Sequence, residues 1–293
     1  MIIVRLMGGL GNQLFQYAAA RRLASWHDTI LKIDTSWLNA SQQRSYCLGA
    51  FSVPEAFASL DETARLIGAG SVAFRMYLRR LTQRCRPYFR RHIFSESHVG
   101  PYDPNILRTP RDVYLNGYWQ SEKYFADIEE RLREELLIKD EPGAPNRMML
   151  ERICNNDSVS IHIRRGDYVS DPAIQRVHGS LTIQYYQRCV DIVAQRVASP
   201  HFFVFSDDHD WARENLRISY PTTYVSHNDP SRPHEDLRLM SACKHNVVAN
   251  SSFSWWAAWL NSNPHKIVLA PRHWFQEPRY DTRDLVPSAW LRV

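Results

Sequence analysis

Short apolar runs alternate with amphipathic helical patterns in the second half of the chain, and this alternation constrains the fold most. Five runs predict buried strands, at residues 159–163, 202–205, 223–225, 246–249 and 266–270. Runs of this kind between helices are typical of parallel sheets that are covered by helices. Ligands of open parallel sheets bind beyond the carboxyl ends of the strands, so we expect functional residues there.

The first half begins with the same alternation. A strand at residues 2–6, a glycine-rich turn, a helix at residues 12–25 and a strand at residues 29–33 predict a βαβ unit. A charged segment with proline and glycine at residues 139–146 predicts a linker. We therefore expect an α/β protein with two domains, at residues 1–141 and 147–293.

Composition excludes several classes of protein. The chain has 293 residues, of which 44% are hydrophobic, yet no stretch is long and apolar enough to span a membrane. No signal-peptide pattern precedes the first predicted strand. The five cysteines are scattered without a CxxC pair, so neither a zinc ribbon nor a disulfide framework is indicated. We expect a cytoplasmic protein.

Arginine dominates the basic residues, with 31 of the 36 lysines and arginines. Residues 75–91 carry seven arginines and no acidic residue, and residues 73–86 have the pattern of a basic amphipathic helix. Two interpretations are open: a solvated surface helix, or a peripheral contact with an anionic inner membrane or a pyrophosphate-linked lipid. No other feature points to nucleic acid, and we expect no nucleic-acid partner.

Gly9, Gly11, Asn12 and Gln13 lie in the glycine-rich turn before the first predicted helix. Glycines permit a tight turn and a close approach of a ligand, and the first N–H groups of a helix bind anions. The spacing departs from the dinucleotide-binding pattern G-x-G-x-x-G, because Leu14 stands in place of the third glycine. We therefore expect a ligand contact here without a nicotinamide cofactor.

His162 and Arg164 fall on one face of the third predicted strand, just where it ends. This placement suits a diphosphate, because an arginine bonds phosphate oxygens bidentately and stabilises charge on a leaving group. Asp167 follows three residues later and, like Arg165, has a structural alternative, in which the two residues pair with each other or brace the turn.

Asp207 and Asp208 follow the fourth predicted strand. Such a pair can bind a divalent metal, bond a ribose or a guanine edge, or cap the following helix. Because the two carboxylates are adjacent rather than spaced, we expect no metal site.

Asn250, Ser251, Ser252 and Phe253 connect another predicted strand to a helix. Hydroxyls and free N–H groups at a helix N-terminus form an anion site, and Phe253 offers an apolar wall for a base or a sugar ring. The alternative is an N-cap followed by core aromatic residues.

Together these segments resemble the α-1,2-fucosyltransferases of glycosyltransferase family 11. The order and spacing of the motifs match nearly from end to end, whereas residues 41–108 carry no motif that we can assign. The segments that carry the resemblance are GGLGNQLFQYA at 8–18, NGYWQSEKYF at 116–125, HIRRGDY at 162–168, FSDD at 205–208 and ANSSFSWWAAWLN at 249–261.

The resemblance implies two Rossmann-like domains that face a cleft, the GT-B architecture. It implies transfer of fucose from GDP-β-L-fucose to the 2-hydroxyl of a galactose, with inversion and without a metal or another cofactor. It also implies a bacterial enzyme whose acceptor is an O-antigen or lipopolysaccharide glycan carried on a lipid.

The resemblance also implies roles for the motif residues. Arg164 is expected at the β-phosphate, where it favours departure of GDP. Asn12 is expected to be a catalytic and donor-binding residue that faces the other donor contacts from the first domain. Gly9, Gly11 and Gln13 of that domain also belong to the expected donor site. The remaining donor contacts are expected from His162, Asp207 and Asp208 at the guanosine, and from Asn250, Ser251, Ser252 and Phe253 around the pyrophosphate.

The base that deprotonates the acceptor is left open. Asp167 is the first candidate, Asp34 and Asp171 are alternatives, and a loose transition state with phosphate-assisted deprotonation needs no side-chain base. Other functions remain open as well: fucose transfer to another position or acceptor, use of GDP-mannose, or non-catalytic binding of a nucleotide sugar.

Overall fold

The computed structural model describes residues 1–41, 44–67, 85–96 and 100–293. The chain divides into two compact units. The first unit comprises Met1–Leu137 with Arg283–Leu285, and the second unit comprises Ile138–Thr282 with Val286–Val293. Each unit is built around a parallel sheet, so the predicted α/β class is confirmed. Most of the predicted basic helix, residues 73–84, lies outside the described residues.

The first unit has a four-stranded sheet in the order β2-β1-β4-β3, and all pairs are parallel. Strand β1 is fully buried at Ile2, Ile3 and Val4, because it lies inside the sheet and both of its faces are covered. The elements are β1 (Ile2–Arg5), α1 (Leu10–Trp26), β2 (Leu31–Asp34), α2 (Ser36–Ala40), α3 (Leu60–Ile67), β3 (Ile93–Ser95), β4 (Val113–Asn116) and α4 (Glu129–Glu135).

The second unit has a six-stranded parallel sheet in the order β10-β9-β8-β5-β6-β7. All five strands predicted for this half are present. The elements are α5 (Ala144–Cys154), β5 (Asp157–Ile163), α6 (Gly166–Ser170), α7 (Pro172–His178), α8 (Ile183–Ala194), β6 (Pro200–Ser206), α9 (His209–Asn215), β7 (Thr222–Val225), α10 (Pro233–Ala242), β8 (His245–Val247), α11 (Ser252–Leu260), β9 (Val268–Ala270) and β10 (Leu291–Arg292).

The predicted linker at residues 139–146 extends too far, because α5 already begins at Ala144 with Pro145 in its first turn. Proline is well suited to that position, since the first N–H groups of a helix have no intrahelical partner. In the described part of the chain, no helix is both long enough and apolar enough to cross a bilayer.

The strand order places a topological switch point at β5. This strand lies between β6, which follows it in the chain, and β8, which is reached only after β7. Segments that leave β5 and β8 therefore diverge at the carboxyl ends of these strands and open a crevice, where ligands of such sheets bind. Residues 162–166 and 248–253 lie at this crevice.

Candidate active site

The switch point of the second unit brings together the ends of two distant segments. The ring centroids of His162, at the end of β5, and Phe253, in the first turn of α11, are 5.5 Å apart. The Tyr168 hydroxyl donates to the carbonyl of Asn250 at 3.1 Å. The predicted donor-binding residues after β5 and β8 are thus adjacent in the structure.

Arg164 is held by two carboxylates. Its Nη2 lies 2.6 Å from Oδ1 of Asp167, and its Nη1 lies 2.8 Å from Oδ2 of Asp207. The guanidinium carbon is 5.5 Å from the ring centroid of Tyr168. Ionised partners at these distances make strong, directional bonds. The side chain keeps 24% of its surface exposed, so it remains accessible to a ligand while its direction is fixed.

Asp207 also organises the backbone of the turn after β5. Its Oδ1 accepts the N–H of Arg165 at 2.8 Å. A Cβ at Gly166 would lie 2.7 Å from Oδ2 of Asp207, which is closer than real side chains approach. A side chain at position 166 would therefore displace this carboxylate or shift the turn. The contacts of Asp207 are with the turn after β5, residues 164–166, called the arginine turn below, and its expected contact with guanosine stays a prediction.

Asp208 caps a helix. Its Oδ1 accepts the N–H of Trp211 in the first turn of α9 at 3.2 Å. Its Oδ2 lies 3.2 Å from Nε of Arg165, whose guanidinium stacks 3.9 Å from the ring centroid of Trp211. The two acidic residues thus divide their tasks: Asp207 fixes Arg164, and Asp208 satisfies the helix terminus, as the capping alternative predicted.

His162 is buried, with 5% of its surface exposed, and its Nδ1 has no hydrogen-bond partner among the described residues. Burial lowers the pKa of His162 to about 4, against the opposing effect of Asp207, and the Arg164 charge lowers it further. The imidazole is therefore neutral at pH 7. A neutral ring with an unused nitrogen can accept or donate one hydrogen bond to a nucleotide or sugar hydroxyl.

Asn250 and Ser251 have structural contacts of their own. The Asn250 Nδ2 atom donates to the carbonyls of His178 at 2.9 Å and Gly179 at 3.1 Å, and Asn250 is 2% exposed. Ser251 is the N-cap of α11 and accepts the N–H of Phe253 at 3.3 Å. The position of Asn250 indicates a brace for the loop after α7. Ser252 and Phe253 remain partly exposed at the helix terminus.

His178 also lies beside this site, although no sequence motif points to it. Its ring stacks on Tyr168, with centroids 4.7 Å apart and planes inclined by 26°, and it packs 5.0 Å from the ring of Phe275. Burial lowers the pKa of His178 to about 4; Asp167 opposes the shift, and Arg164 adds to it. This second neutral histidine supports the tyrosine beneath Arg164. No sequence motif includes His178, and its other ring partner, Phe275, lies in a distant part of the chain.

In the first unit, Gly8 is the glycine whose conformation the turn requires. Its φ of +75° is unfavourable for other residues. Gly9 is the N-cap of α1, and its carbonyl accepts the N–H groups of Asn12 and Gln13 at 3.0 and 3.1 Å. Gly11 is buried inside the first turn of this helix. The glycine pattern therefore shapes the start of α1.

Gln13 and Asn12 differ in how their amides are used. Gln13 is fully buried; its Nε2 donates to the carbonyls of Gly8 and Ser45, and its Oε1 accepts the N–H of Cys47 at 2.9 Å. These bonds satisfy the amide inside the unit, and the expected donor contact of Gln13 stays a prediction. The Oδ1 of Asn12 accepts from Gln120 at 2.8 Å, and Asn12 keeps an accessible surface.

The protein-family model described as "Glycosyl transferase family 11" matches residues 99–293. The chain is 31% identical to an alpha-1,2-colitosyltransferase of Escherichia coli, over 100% of this chain and 99% of the relative. It is also 32% identical to the O-antigen biosynthesis glycosyltransferase WbnK of Escherichia coli, over 92% and 93% of the two chains. The chain belongs to glycosyltransferase family 11. Its motifs are therefore those of a glycosyltransferase.

Among solved structures, a variant of Arabidopsis thaliana FUT1 in complex with GDP has a similar fold. The TM-score is 0.54 at 14% identity, and the match covers 93% of this chain and 71% of the other. A likeness at this identity concerns the fold alone.

Each of the three carboxylates predicted as candidate bases of this family 11 chain makes an ion pair or hydrogen bonds. Asp167 is paired with Arg164. Asp34 accepts the hydroxyl of Tyr114 at 2.6 Å with Oδ2 and the N–H of Ser36 at 2.8 Å with Oδ1. Asp171 is the N-cap of α7. In the described structure each of them has a structural or electrostatic partner. Among the described residues, no group of three or more histidine, cysteine or acidic side chains is placed to hold a metal ion.

Proposed function

We propose that the protein transfers L-fucose from GDP-β-L-fucose to the 2-hydroxyl of a galactose residue, with inversion and without a metal. The donor belongs to the second unit and the acceptor to the first. The acceptor is a glycan of O-antigen or lipopolysaccharide synthesis. Support comes from family membership and from the relatives, one of which is named as an O-antigen glycosyltransferase.

The observation that carries this proposal is the placement of Arg164. Its guanidinium lies at the switch point of a parallel sheet, fixed by Asp167 and Asp207 and still partly exposed. Tyr168 lies beneath it and bonds the carbonyl of Asn250, just before α11. A fixed cation next to a helix N-terminus suits a leaving diphosphate, because both stabilise negative charge that develops as the glycosidic bond breaks.

The proposed reaction needs no metal for this step. Arg164 and the N–H groups at the start of α11 neutralise the departing GDP, a contribution of several kcal/mol to the transition state. Bond cleavage runs ahead of bond formation, so the sugar has oxocarbenium character, and the acceptor hydroxyl attacks from the face opposite to GDP. His162, neutral at pH 7, bonds a hydroxyl of the nucleotide.

Transfer of colitose is the second candidate, because a relative at 31% identity over the whole chain is named as an alpha-1,2-colitosyltransferase. The arginine turn contacts the diphosphate, which all GDP-sugar donors share. Choice between donors therefore depends on contacts with the sugar, and GDP-fucose, GDP-colitose and GDP-mannose must be compared directly.

The test is GDP release from purified protein with GDP-fucose and lactose in the presence of EDTA, with the linkage of the product determined by NMR. We expect an α-1,2-linked trisaccharide that forms without added metal and is lost in Arg164→Ala. Faster release of GDP from GDP-colitose than from GDP-fucose would identify GDP-colitose as the donor. Donor binding without GDP release for any donor and acceptor would favour a non-catalytic nucleotide-sugar-binding protein, and no binding of GDP would overturn the proposal.

We further propose that the natural acceptor is linked to a lipid and that the protein works at the cytoplasmic face of the inner membrane. The basic composition of residues 73–86 is the basis for this peripheral contact. Co-flotation with vesicles that contain anionic lipid should be strong at low salt and weak at high salt. Equal flotation with neutral vesicles would contradict an electrostatic contact.

A further inference from the structure

Glu96 follows β3 at the carboxyl end of the first unit's sheet and reaches across to the segment after β4. Its backbone N–H donates to the carbonyl of Asn116 at 3.0 Å. Its Oε2 accepts the N–H of Tyr118 at 2.6 Å and that of Trp119 at 3.1 Å. The carboxylate is therefore held at the edge where ligands of parallel sheets bind.

The local backbone is shaped around this carboxylate. Trp119 has a φ of +56°, which is unfavourable for a bulky residue. A Cβ at Gly117 would lie 2.5 Å from Cβ of Glu96, so a side chain at position 117 would displace Glu96. Non-glycine residues with positive φ persist where the surrounding contacts impose them, and they cluster at functional sites.

The same segment connects Glu96 to Asn12. Gln120, the residue after Trp119, donates from Nε2 to Oδ1 of Asn12 at 2.8 Å. The carboxylate of Glu96, the segment 118–120 and the amide of Asn12 thus form one hydrogen-bonded series along the carboxyl edge of the sheet. Glu96 shares this edge with the residue that the sequence motif assigned to the active site.

One oxygen of Glu96 is available. The hydrogen bonds of the carboxylate all go to Oε2, and Oε1 makes no hydrogen bond or ion pair with any described residue, whereas both oxygens of Asp34 accept hydrogen bonds. Burial raises the pKa of Glu96 to about 7, although the two backbone N–H bonds lower it. Tyr124 is the ionisable neighbour, and its own pKa is raised by burial and, in smaller part, by the Glu96 charge. A carboxylate that titrates near neutral pH is suited to proton transfer.

We propose that Glu96 is the general base that accepts the proton of the sugar hydroxyl on the acceptor, an inference that rests on the proposed function. The proton moves from the hydroxyl to Oε1 as the hydroxyl oxygen bonds the anomeric carbon of the donor sugar. The bond from that carbon to the diphosphate oxygen breaks, and its electron pair leaves with GDP. The two N–H groups on Oε2 fix the carboxylate in place and leave Oε1 to take the proton.

The test compares Glu96→Gln with Glu130→Gln, an exposed glutamate in α4 of the same unit. Glutamine can still accept both backbone N–H bonds but cannot take a proton. We expect turnover of Glu96→Gln to fall by about 10²- to 10⁴-fold, with the thermal shift by GDP unchanged. Glu130→Gln should match the wild type in both assays.

The pH profile provides a second readout that does not depend on a variant. The wild-type transfer rate should fall below about pH 7, and this acidic limb should be absent from Glu96→Gln. A wild-type rate that is constant from pH 5.5 to 8, or full turnover by Glu96→Gln, would overturn the assignment while α-1,2 transfer stands. Absence of transfer by the wild type with every donor would overturn the proposed function, and this assignment with it.

Discussion

The carboxylate of Asp207 binds Arg164 and the backbone of Arg165 at once. Its Oδ2 lies 2.8 Å from Nη1 of Arg164, and its Oδ1 accepts the N–H of Arg165 at 2.8 Å. One side chain after β6 therefore fixes both the backbone just after β5 and the orientation of the Arg164 guanidinium. Asp207 is therefore a positioning residue for Arg164.

Arg164→Ala should abolish most turnover. The side chain is the cation held at the switch point, and removal of one donor that stabilises developing charge costs about 10²- to 10³-fold in rate. Arg164→Lys should recover only part of the loss, because an ammonium group cannot bond both carboxylates in the planar geometry of a guanidinium. GDP release under saturating donor measures both variants. Wild-type turnover by Arg164→Ala would remove the residue from the mechanism.

Asp207→Asn should lower turnover more than donor affinity. The amide keeps the size of the carboxylate but loses the charge that fixes Nη1 of Arg164, so the guanidinium becomes less well positioned. We expect a loss of about tenfold or more in kcat. Asp210→Asn is the matched control, since Asp210 is an exposed aspartate in the first turn of α9. An equal loss of kcat in the two variants would show that the effect comes from the change in net charge and not from the contact between Asp207 and Arg164.

Gly166→Ala should disturb the same contact by steric means. The new Cβ would lie 2.7 Å from Oδ2 of Asp207, so this carboxylate or the turn must shift. Turnover should fall although no charge has changed. Gly143→Ala is the control, because its Cβ would meet nothing closer than Pro145 Cδ at 3.9 Å. The free energy of unfolding of that control should change by about 1 kcal/mol or less. Normal turnover by Gly166→Ala would contradict the steric argument.

The sequence predicts the strands of the second unit well, because buried parallel strands consist of short, nearly continuous apolar runs. Strand β10 escapes prediction, since both of its residues, Leu291 and Arg292, are exposed. Strands β3 and β4 also escape prediction: β3 has a single buried residue, Phe94, between two exposed ones, and only Asn116, at the end of β4, belongs to a motif in the sequence.

Site residues are predicted by motif, whereas their contacts are not. Arg164 and His162 follow from strand alternation and the position of the strand end. Two partners of the Asn250 amide are the carbonyls of His178 and Gly179, more than 70 positions away, and no local pattern reveals them. Glu96 has no motif around it at all. Its significance depends on the N–H groups after β4, which only the folded sheet brings to its side chain.

Stability should fall on acidification, because two histidines of the second unit resist protonation. His162 and His178 have pKa values lowered from 6.5 to about 4 by burial. Between pH 6.5 and 4 the unfolded chain binds these protons and the folded chain does not, so the free energy of unfolding decreases as the pH falls. Glu96 acts in the opposite direction, since its raised pKa favours the folded state as the pH falls from 7 to 4.5.

His178→Phe isolates one of these contributions. Phenylalanine retains a ring between Tyr168 and Phe275 but cannot be protonated. Relative to the variant, the wild type should lose roughly 2 kcal/mol of unfolding free energy between pH 8 and pH 5, because the pKa of His178 is about 4 in the folded protein. Urea unfolding of both proteins at pH 8, 6 and 5 measures the difference. If the difference is the same at all three values, His178 is protonated in the folded protein as readily as in the unfolded chain, and burial does not hold it neutral.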